Sequence, residues 1–370
     1  MRILKLNLKK DSYNIVIGNN ILNLLGRYIL KLNIGRDAYV ITNACIKKKH
    51  GRLLNNSLRQ SSFQVRFKLV PDTEKSKSIQ MASAIIRDMT LHDKRKRIFI
   101  VAFGGGVIGD LAGFIASIYK RGIPYIQLPT TLLAQVDSAI GGKTAVDLIQ
   151  GKNLLGAFYQ PRLVFSDVAL LKTLDIRQVQ NGLAEVIKYG VIKDAAFFTY
   201  LEKNYSDILG LKLPVLEFIV ARSSSIKAKV VELDEREERG LRTILNFGHT
   251  IGHAIEAAGR YKRYSHGQAI ALGMLVACGI SKKMGLTGNT TVGRIENLIK
   301  KAGLPTKIEK ISAPDIIRAH YRDKKFKGPE NKFVLIRGIG KTVIRKNIPL
   351  KIIKEALKER LWRATERERL

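Results

Sequence analysis

The sequence predicts a two-domain protein, with an α/β amino-terminal domain built on a parallel sheet and a mainly α-helical carboxyl-terminal domain. At 370 residues the chain is longer than a typical domain with a single core. In its first half, short apolar runs bounded by turns alternate with helical patterns, which is typical of parallel strands joined by crossover helices. From about Asp175 onward the pattern changes to long helical segments. We therefore predict domains at residues 1–174 and 175–370.

The elements follow from these runs in chain order. The predicted strands of the first domain are Tyr13–Ile17, Ala38–Thr42, Val65–Val70, Ile98–Phe103, Tyr125–Leu128 and Leu163–Phe165. The predicted helices of the second domain are Gln178–Lys193, Leu216–Asp234, Leu245–Ala258, His266–Met284 and Arg294–Ala302. Near the end, Lys332–Arg337 and Lys341–Lys346 flank a Gly-Ile-Gly turn and predict a hairpin, and Leu350–Leu370 predicts a charged amphipathic helix.

The chain is strongly basic, with a formal net charge of +34. Such a charge would ordinarily suggest a nucleic-acid partner. The basic residues are spread along the whole chain, however, with only short runs such as Lys47–Lys49 and Lys94–Arg97 and no zinc-finger, RNA-recognition or basic-zipper signature. We therefore predict no specific nucleic-acid partner, expect the surface to attract anionic ligands, and keep a basic nucleic-acid-binding protein as the alternative from a different class.

Cysteine content and apolar stretches predict a cytoplasmic protein. Cys45 and Cys278 lie far apart in sequence and suggest no disulfide framework, which fits a reducing compartment. The first residues alternate apolar and polar side chains like a strand and lack the features of a signal peptide. The apolar stretch Ala269–Ile280 is too short to span a membrane. We therefore expect no membrane association.

A glycine-rich loop follows the strand predicted at Ile98–Phe103, where Gly104 to Asp110 reads GGGVIGD and leads into a helical pattern. A strand, a glycine turn and a helix bring backbone N–H groups onto a phosphate. A single G-x-G-x-x-G match is weak, since such turns also serve tight geometry alone, and the dinucleotide fingerprint needs an acidic residue about twenty positions later. Gln127–Thr131 contains no acid. A nucleotide site of another design therefore remains open.

Three of the six histidines, His249, His253 and His266, fall within eighteen residues. His249 and His253 are four residues apart, so in a helix both imidazoles leave the same face. Three ligands of histidine or carboxylate type with an open position make a zinc-like site, which His266 could complete. Gly248 and Gly252 lie beside the pair, where a ligand or another backbone could approach closely. For the pair alone, solvated or core histidines remain the alternative.

The glycine loop, the segment Gly182–Lys188 and the histidine cluster occur in this order in one chain. Together with further motifs, they make the sequence resemble the 3-dehydroquinate synthase family of sugar-phosphate cyclases over nearly its whole length. The further motifs are Pro71–Lys77, Tyr119–Gly122, Pro129–Lys143, Gly151–Phe158, Asp234–Glu237 and Asp323–Lys325.

The resemblance implies a Rossmann-like α/β domain that binds NAD, a helical domain that binds one divalent metal ion, usually Zn²⁺ or Co²⁺, and a homodimer. The implied reaction belongs to the shikimate pathway and converts 3-deoxy-D-arabino-heptulosonate 7-phosphate into 3-dehydroquinate and phosphate. Phosphate is eliminated by cleavage of a carbon–oxygen bond. In such enzymes NAD oxidises a substrate hydroxyl, phosphate leaves, and the ketone is reduced again before the ring opens and recloses. NAD is therefore regenerated in each turnover.

The resemblance also implies roles for individual residues. The metal ligands would be Glu185, His249 and His266, although Glu185 alone could equally be a solvated helix residue paired with Lys188. His253 would act near the substrate during proton movement. Phosphate or carboxylate contacts would come from Lys152, Asn153, Arg121, Asn246 and Arg242. Residues around the substrate ring would be Asp137, Lys143, Lys188, Lys227 and Lys325.

For NAD, the resemblance implies a site distributed over several loops. Gly104, Gly105, Gly106 and Asp110 would hold the pyrophosphate and its surroundings, Glu74 and Lys77 the adenosine side, and Thr130 and Thr131 the adenine and linking region, with Asn43 as a contact for the ribose. Lys143 and Lys152 are counted with the cofactor as well as with the substrate.

The chain departs from the family pattern at three places. Gln268 stands where the family usually has Glu, Asp175 where Pro is common, and Thr73 where Gly is common. The first removes a carboxylate near His266, so we expect an effect on the orientation of that ligand. Another sugar-phosphate cyclase making an inosose or a valiolone is the nearest alternative function, and a metal-dependent polyol dehydrogenase of related fold is a more distant one. Arg242, Asn246, His253 and Lys325 together favour the carboxylated heptulosonate.

Overall fold

A computed structural model describes residues 1–93, 97–322 and 331–362. The chain forms two compact units. The first contains Met1–Val179 together with Leu211–Arg236, and the second contains Gln180–Gly210 together with Glu237–Leu370. Among the described residues, no helix is both long enough and apolar enough to cross a membrane.

The strands, in chain order, are β1 (Arg2–Leu6), β2 (Tyr13–Gly18), β3 (Asp37–Thr42), β4 (Gln64–Leu69), β5 (Ile98–Gly104), β6 (Tyr125–Pro129), β7 (Lys143–Leu148), β8 (Gly151–Phe158), β9 (Leu163–Asp167), β10 (Lys332–Gly338) and β11 (Lys341–Lys346).

The α-helices, in chain order, are α1 (Leu25–Leu32), α2 (Ala44–Gln60), α3 (Ile79–His92), α4 (Gly106–Ile118), α5 (Ile176–Lys193), α6 (Ala195–Leu209), α7 (Leu213–Leu233), α8 (His249–Ala258), α9 (His266–Lys283), α10 (Asn289–Lys301), α11 (Ala313–Arg322) and α12 (Leu350–Lys358).

The first unit is built on one large sheet with the strand order β1-β2-β9-β6-β5-β3-β4. The neighbours from β2 to β4 pair in parallel, and only β1 is antiparallel to its neighbour. The central strand β5 is buried along its entire length, which is why it reads as a continuous apolar run rather than an alternating one. The predicted parallel sheet, with all six of its strands, is therefore confirmed.

Side chains of the central strands alternate between two hydrophobic clusters, one on each face of the sheet. Tyr39 and Ile41 of β3 pack with α3 and α4, whereas Ala38 and Val40 pack with α1 and α2. Complete burial of a large apolar side chain contributes about 1.5–3 kcal/mol. Both faces of the sheet are thus covered by helices, as expected for a doubly wound α/β unit.

The division of the chain differs from the predicted domains in two segments, the shorter of which, residues 175–179, moves the boundary by five residues. Residues 211–236, which the prediction assigned to the helical domain, belong to the first unit. There α7 contacts β1, β2 and the π-helical turn Ala134–Ser138. Sequence pattern identified α7 as a helix, but a helical pattern does not reveal which core the helix joins.

The second unit is mainly helical and contains the hairpin of β10 and β11, as predicted. The predicted start of the helix Leu245–Ala258 is wrong, because α8 begins at His249. Leu241–Asn246 forms a 3-10 helix, and Gly248, with φ of +81°, separates it from α8. A left-handed residue at this position ends one helix and starts another in a new direction.

Helices α8 and α9 pack very closely. A Cβ atom added to Gly273 of α9 would lie 2.0 Å from the carbonyl oxygen of Gly248 and 2.7 Å from the nitrogen of Gly252. Three glycines therefore allow the two backbones to touch. Because His249 begins α8 and His266 begins α9, this contact fixes the relative positions of two predicted ligands.

Some predictions fall elsewhere. The hairpin of β7 and β8 in the first unit was not predicted, because its exposed side chains do not alternate clearly. The predicted helix Leu350–Leu370 is too long: α12 ends at Lys358, Leu361 forms a β-bridge with Ile308, and 363–370 lie outside the described residues. Lys94, Arg95, Lys96 and the motif Asp323–Lys325 also lie outside them.

Candidate active site

In the first unit, predicted cofactor residues gather at the carboxyl edge of the sheet. Gly104 ends β5, Asn43 follows β3, and Thr130 follows β6. These three strands are parallel neighbours, so their ends lie at the same edge. The chain runs outward from β3 to β4 and then returns to β5 on the other side of β3, which makes this a topological switch point. Such crevices bind nucleotides in open α/β sheets.

The glycine loop leaves little space beside its backbone. Gly105 is the N-cap residue of α4, and an added Cβ would lie 3.1 Å from the Cγ2 atom of Thr131. A Cβ on Gly106 would lie 3.2 Å from the hydroxyl of Ser138. The missing side chains leave the N–H groups at the start of α4 accessible, and the helix dipole favours negative charge there. This backbone fits a pyrophosphate group.

Lys77 connects two predicted contact residues. Its ammonium group, only 6% exposed, lies 2.5 Å from the Oδ2 atom of Asp110 and donates a second hydrogen bond to the side-chain oxygen of Asn153. Burial would lower the pKa of Lys77, but the Asp110 carboxylate raises it, so the ammonium group stays charged. A predicted cofactor residue and a predicted substrate residue thus share one buried cation.

Two further ion pairs join predicted residues of the first unit. The ammonium group of Lys152 lies 3.1 Å from Oε1 of Glu74. Lys227, on α7, donates to both the backbone oxygen and the carboxylate of Asp137, at 2.7 and 2.6 Å. The segment containing Lys227 therefore belongs to the first unit with Asp137.

Other predicted residues of the first unit are less closely associated. Asn43 is buried, and its side-chain oxygen caps α2 by accepting a hydrogen bond from the nitrogen of Ile46 at 2.8 Å. Lys143 is exposed at the start of β7. Arg121 is exposed beyond the end of α4. Since α4 is 13 residues long, Arg121 lies about 20 Å from the glycine loop, at the opposite edge of the sheet.

In the second unit, Glu185, His249 and His266, the metal ligands that the resemblance implies, lie close together. Their potential ligand atoms all lie within 4.8 Å of one another. Oε1 of Glu185, which is fully buried on α5, is 3.5 Å from Nε2 of His249 and 3.5 Å from Nε2 of His266. One carboxylate oxygen and two imidazole nitrogens therefore face a common point.

The other nitrogen of each imidazole has a partner of its own. Nδ1 of His249 is 3.2 Å from the backbone oxygen of Phe247, and Nδ1 of His266 is 3.4 Å from Oε2 of Glu256. If each Nδ1 carries the proton, both Nε2 lone pairs are directed at the point facing Glu185. A histidine that ligates a metal through Nε2 has this arrangement. The donor set therefore fits Zn²⁺ or Co²⁺.

The electrostatics of this cluster favour a cation. Burial lowers the pKa of His249 well below its usual value, and the neighbouring Lys188 lowers it further, so the ring is neutral. Burial would also lower the pKa of His266, but Glu185 and Glu256 raise it to about 10. Two carboxylates thus stabilise positive charge at His266, which a divalent ion would supply without the proton.

The remaining predicted residues of the second unit surround this cluster in different ways. The His253 ring lies 5.2 Å from that of His249 and 6.2 Å from that of His266. Lys188 is buried and forms an ion pair with Glu185. Arg242 is 2% exposed, with its Nε atom 3.4 Å from Glu237, whereas Asn246 is exposed. Lys325 lies outside the described residues.

Two residues at the site were not singled out from the sequence. Glu256 contacts His266 and forms a second potential metal-binding group with His253 and His266. Its spacing of three residues from His253 on α8 is the signal that could have identified it. Asp147 accepts a hydrogen bond from the backbone nitrogen of Asn153 at 2.8 Å. Asp147 lies in a hairpin that was not predicted, so the sequence contains no comparable signal for it.

In the structure, Gln268 forms hydrogen bonds with Ser265 at the start of α9. Its side chain accepts a hydrogen bond from the backbone nitrogen of Ser265 at 2.9 Å, and Ser265 caps the nitrogen of Gln268 in return. This capping box places Gln268 at the start of α9. The carboxylate beside His266 is supplied by Glu256.

The fold and the two groups of residues define an α/β enzyme with the sugar-phosphate cyclase fold. The 2-deoxy-scyllo-inosose synthase solved with carbaglucose-6-phosphate, NAD⁺ and Co²⁺ is 28% identical, with a TM-score of 0.88 over 97% of this chain and 100% of that one. ValA, the 2-epi-5-epi-valiolone synthase of Streptomyces hygroscopicus subsp. jinggangensis 5008 solved with NAD⁺ and Zn²⁺, is 27% identical, with a TM-score of 0.87 over 97% of this chain and 99% of that one.

The family itself is shown by sequence. Residues 67–181 match the amino-terminal and residues 182–326 the carboxyl-terminal domain of 3-dehydroquinate synthase. The 3-dehydroquinate synthase of Thermoanaerobacter pseudethanolicus (strain ATCC 33223 / 39E) is 43% identical over 96% of this chain and 100% of its own length. The chain belongs to the 3-dehydroquinate synthase family. The predicted family, fold class and 3-dehydroquinate synthase function are confirmed.

Proposed function

We propose that this chain acts in the cytoplasm as a homodimeric carbon–oxygen lyase. Its substrate is 3-deoxy-D-arabino-heptulosonate 7-phosphate, and its products are 3-dehydroquinate and phosphate. The observation that carries the proposal is the convergence of Glu185, His249 and His266, which join one carboxylate and two imidazoles in a buried cluster. The name carried by full-length relatives at more than 40% identity supports the same reaction.

Glu185, His249 and His266 are the residues that would hold a divalent metal ion. Neutral imidazoles and an ionised carboxylate are the required ligand forms, and burial with the charge of Lys188 keeps His249 neutral. When bound, the metal would supply Lewis-acid polarisation of substrate oxygens. NAD⁺ with Co²⁺ or Zn²⁺ in the two solved cyclases supports this assignment at the level of a divalent ion.

Gly104, Gly105, Gly106 and the start of α4 would hold the pyrophosphate of NAD, with Thr130, Thr131 and Asn43 at the neighbouring strand ends. Glu74, Lys77 and Asp110 would complete the cofactor contacts, with Lys143 and Lys152 reaching from the hairpin of β7 and β8. When bound, NAD would supply reversible oxidation of a substrate hydroxyl.

His253 is the proposed proton carrier. It lies one helical turn beyond His249 and offers an imidazole whose ordinary pKa suits proton transfer near neutral pH. Lys188, Lys227 and Asp137 would orient the substrate ring, since each is fixed by an ion pair before any ligand arrives. Fixed groups of this kind lose little freedom on binding and therefore favour a single substrate orientation.

The anionic ends of the substrate call for fixed donors. Lys152 and Asn153 on β8 are proposed phosphate or carboxylate contacts, and so are Arg242, Asn246 and Lys325. Arg121 is not among them, because it lies at the opposite edge of the sheet from the glycine loop. A buried guanidinium such as that of Arg242 can recognise a carboxylate through paired hydrogen bonds. This set favours the carboxylated heptulosonate over a sugar phosphate that lacks a carboxylate.

A turnover assay tests the proposal. Purified protein is supplied with the heptulosonate 7-phosphate, Zn²⁺ or Co²⁺, and NAD at a concentration below that of the substrate, while phosphate, dehydroquinate and NADH are followed together. We expect phosphate and dehydroquinate to rise in equal amounts beyond the supply of NAD, without accumulating NADH. Stoichiometric NADH without phosphate would instead identify a polyol dehydrogenase, and turnover only with other sugar phosphates would identify a related cyclase.

A further inference from the structure

The hairpin of β7 and β8 contains an irregularity beside a predicted site residue. Its register shifts between Val146 and Leu148, where Asp147 on β7 faces the three residues 152–154 on β8, so the extra residues of this bulge lie on β8. Bulges redirect side chains and are common next to active sites. The carboxylate of Asp147 accepts a hydrogen bond from the backbone nitrogen of Asn153 at 2.8 Å. Asp147 thus links β7 to the bulged part of β8 through its side chain.

Asn153 has an unusual backbone conformation. Its φ is +55°, in the left-handed region that residues other than glycine rarely occupy. Such conformations persist where surrounding contacts hold them, and they are frequent at ligand-binding positions. The hydrogen bond from its nitrogen to Asp147 is such a contact.

Three interactions form a closed triangle around Asn153. The backbone nitrogen of Asp147 donates to the backbone oxygen of Lys77 at 2.8 Å, and the ammonium group of Lys77 donates to the side-chain oxygen of Asn153. The carboxylate of Asp147 closes the triangle at the nitrogen of Asn153. With its side-chain oxygen bound to Lys77, Asn153 has its amide N–H donors on the side of the amide group away from that contact.

We propose that Asp147 is a positioning residue that holds Asn153 in its left-handed conformation, so that its side-chain amide donates to the phosphate-bearing substrate. This inference rests on the proposed function, because it assigns Asn153 to that substrate. Asp147 itself touches no reacting atom. The backbone bond to Lys77 remains when the carboxylate is removed, so the contacts of Lys77 with Asp110, and with them the affinity for NAD, do not depend on the Asp147 side chain.

The test compares Asp147→Ala and Asp147→Asn in the enzyme loaded with NAD and metal. We expect D147A to raise the KM for the heptulosonate 7-phosphate about tenfold, the loss expected for one hydrogen bond, with a much smaller change in kcat and an unchanged NAD affinity. Asn retains a side-chain oxygen at the same position, so D147N should restore most of the affinity. Asp194→Ala is the matched control, because it removes a similar bond, from the nitrogen of Phe197 to Asp194 at 2.9 Å, at the start of α6.

A second measurement does not depend on turnover. Inorganic phosphate is titrated calorimetrically into the parent protein and each variant, all loaded with NAD, and D147A should bind phosphate about tenfold more weakly than the parent or D194A. A parent that binds phosphate but does not turn over the heptulosonate would refute the proposed function. The phosphate affinities of the variants would then still test the role of Asp147. Parental KM and phosphate affinity in D147A would overturn the inference, as would a D147N variant as weak as D147A.

Discussion

Nδ1 of His266 lies 3.4 Å from Oε2 of Glu256. The Nε2 atom on the other side of the ring faces Glu185 at 3.5 Å. A carboxylate behind a ligating imidazole fixes which nitrogen carries the proton and makes the other a stronger donor. The cluster is therefore organised beyond the three proposed ligands.

Glu256→Ala should lower metal affinity. Loss of the carboxylate behind a histidine ligand typically costs 10- to 100-fold in affinity, so we expect a change of about that size, with Glu256→Gln intermediate because its side-chain oxygen can still accept from Nδ1. Competition with a chromogenic chelator measures it. Glu202→Ala, which breaks the exposed ion pair with Arg294, should leave metal affinity unchanged. Equal affinities in E256A and E202A would contradict the prediction.

Glu185→Gln and His266→Ala should lose bound metal while the protein remains folded. Each removes one of the three proposed ligands. Glu185 lies within α5 and His266 begins α9, and the packing of both helices comes mostly from other residues. Metal content after gel filtration and far-ultraviolet circular dichroism are measured on the same samples. Stoichiometric metal in both variants would refute the ligand assignment.

Gly273→Ala should destabilise the second unit by about 3 kcal/mol, because the added Cβ would meet backbone atoms of α8 that cannot move independently. It should also weaken metal binding, since α8 carries His249 and α9 carries His266. Urea denaturation measures the free energy of unfolding. Gly293→Ala is the control, because a Cβ there has no atom within 4 Å, and a gain of about 0.5–1 kcal/mol is expected.

Asp88→Asn should reduce stability at neutral pH but not in acid. Partial burial alone would raise the pKa of Asp88, but hydrogen bonds from Tyr39, Arg66 and Lys68 lower it from the usual 3.8 to about 2. Because the folded-state pKa is depressed, the ionised group stabilises the native state above about pH 4, and this contribution is lost as the pH falls toward 2.

We expect a difference of about 1 kcal/mol between the parent and D88N at pH 7, shrinking steadily below pH 4 in urea titrations. Asp72→Asn changes an exposed carboxylate with no ion pair among the residues described, so it should match the parent throughout. A difference between parent and D88N that is independent of pH would rule out the ionised carboxylate as its source.

The sheet could be predicted because its strands carry their own signal. A strand such as β5, buried on both faces, must be apolar throughout, and the turns that end it contain glycine. The start of α8 could not be predicted, because the apolar spacing continues from Leu245 across the break at Gly248. Membership of α7 in the first unit depends on contacts between residues distant in sequence, which periodicity does not encode.

The candidate site was predictable where residue type and order were distinctive. His249, His266 and Glu185 follow one another in recognisable motifs and converge in the structure. Glu256 and Asp147 were missed because acidic residues are common, and each gains its importance from a single partner in three dimensions. Lysines at motif positions carried little information, because lysine is common throughout this basic chain. Only contacts in the folded state, such as that of Lys227 with Asp137, distinguish some of them from ordinary surface lysines.

The adjacent ends of β3, β5 and β6 have a geometric consequence. Neighbouring strands are about 4.8 Å apart, so Asn43, Gly104 and Thr130 form a row about 10 Å long whose spacing the backbone itself sets. Substitution of side chains along the row cannot change that length. A ligand that contacts all three residues must therefore extend about 10 Å across the strands.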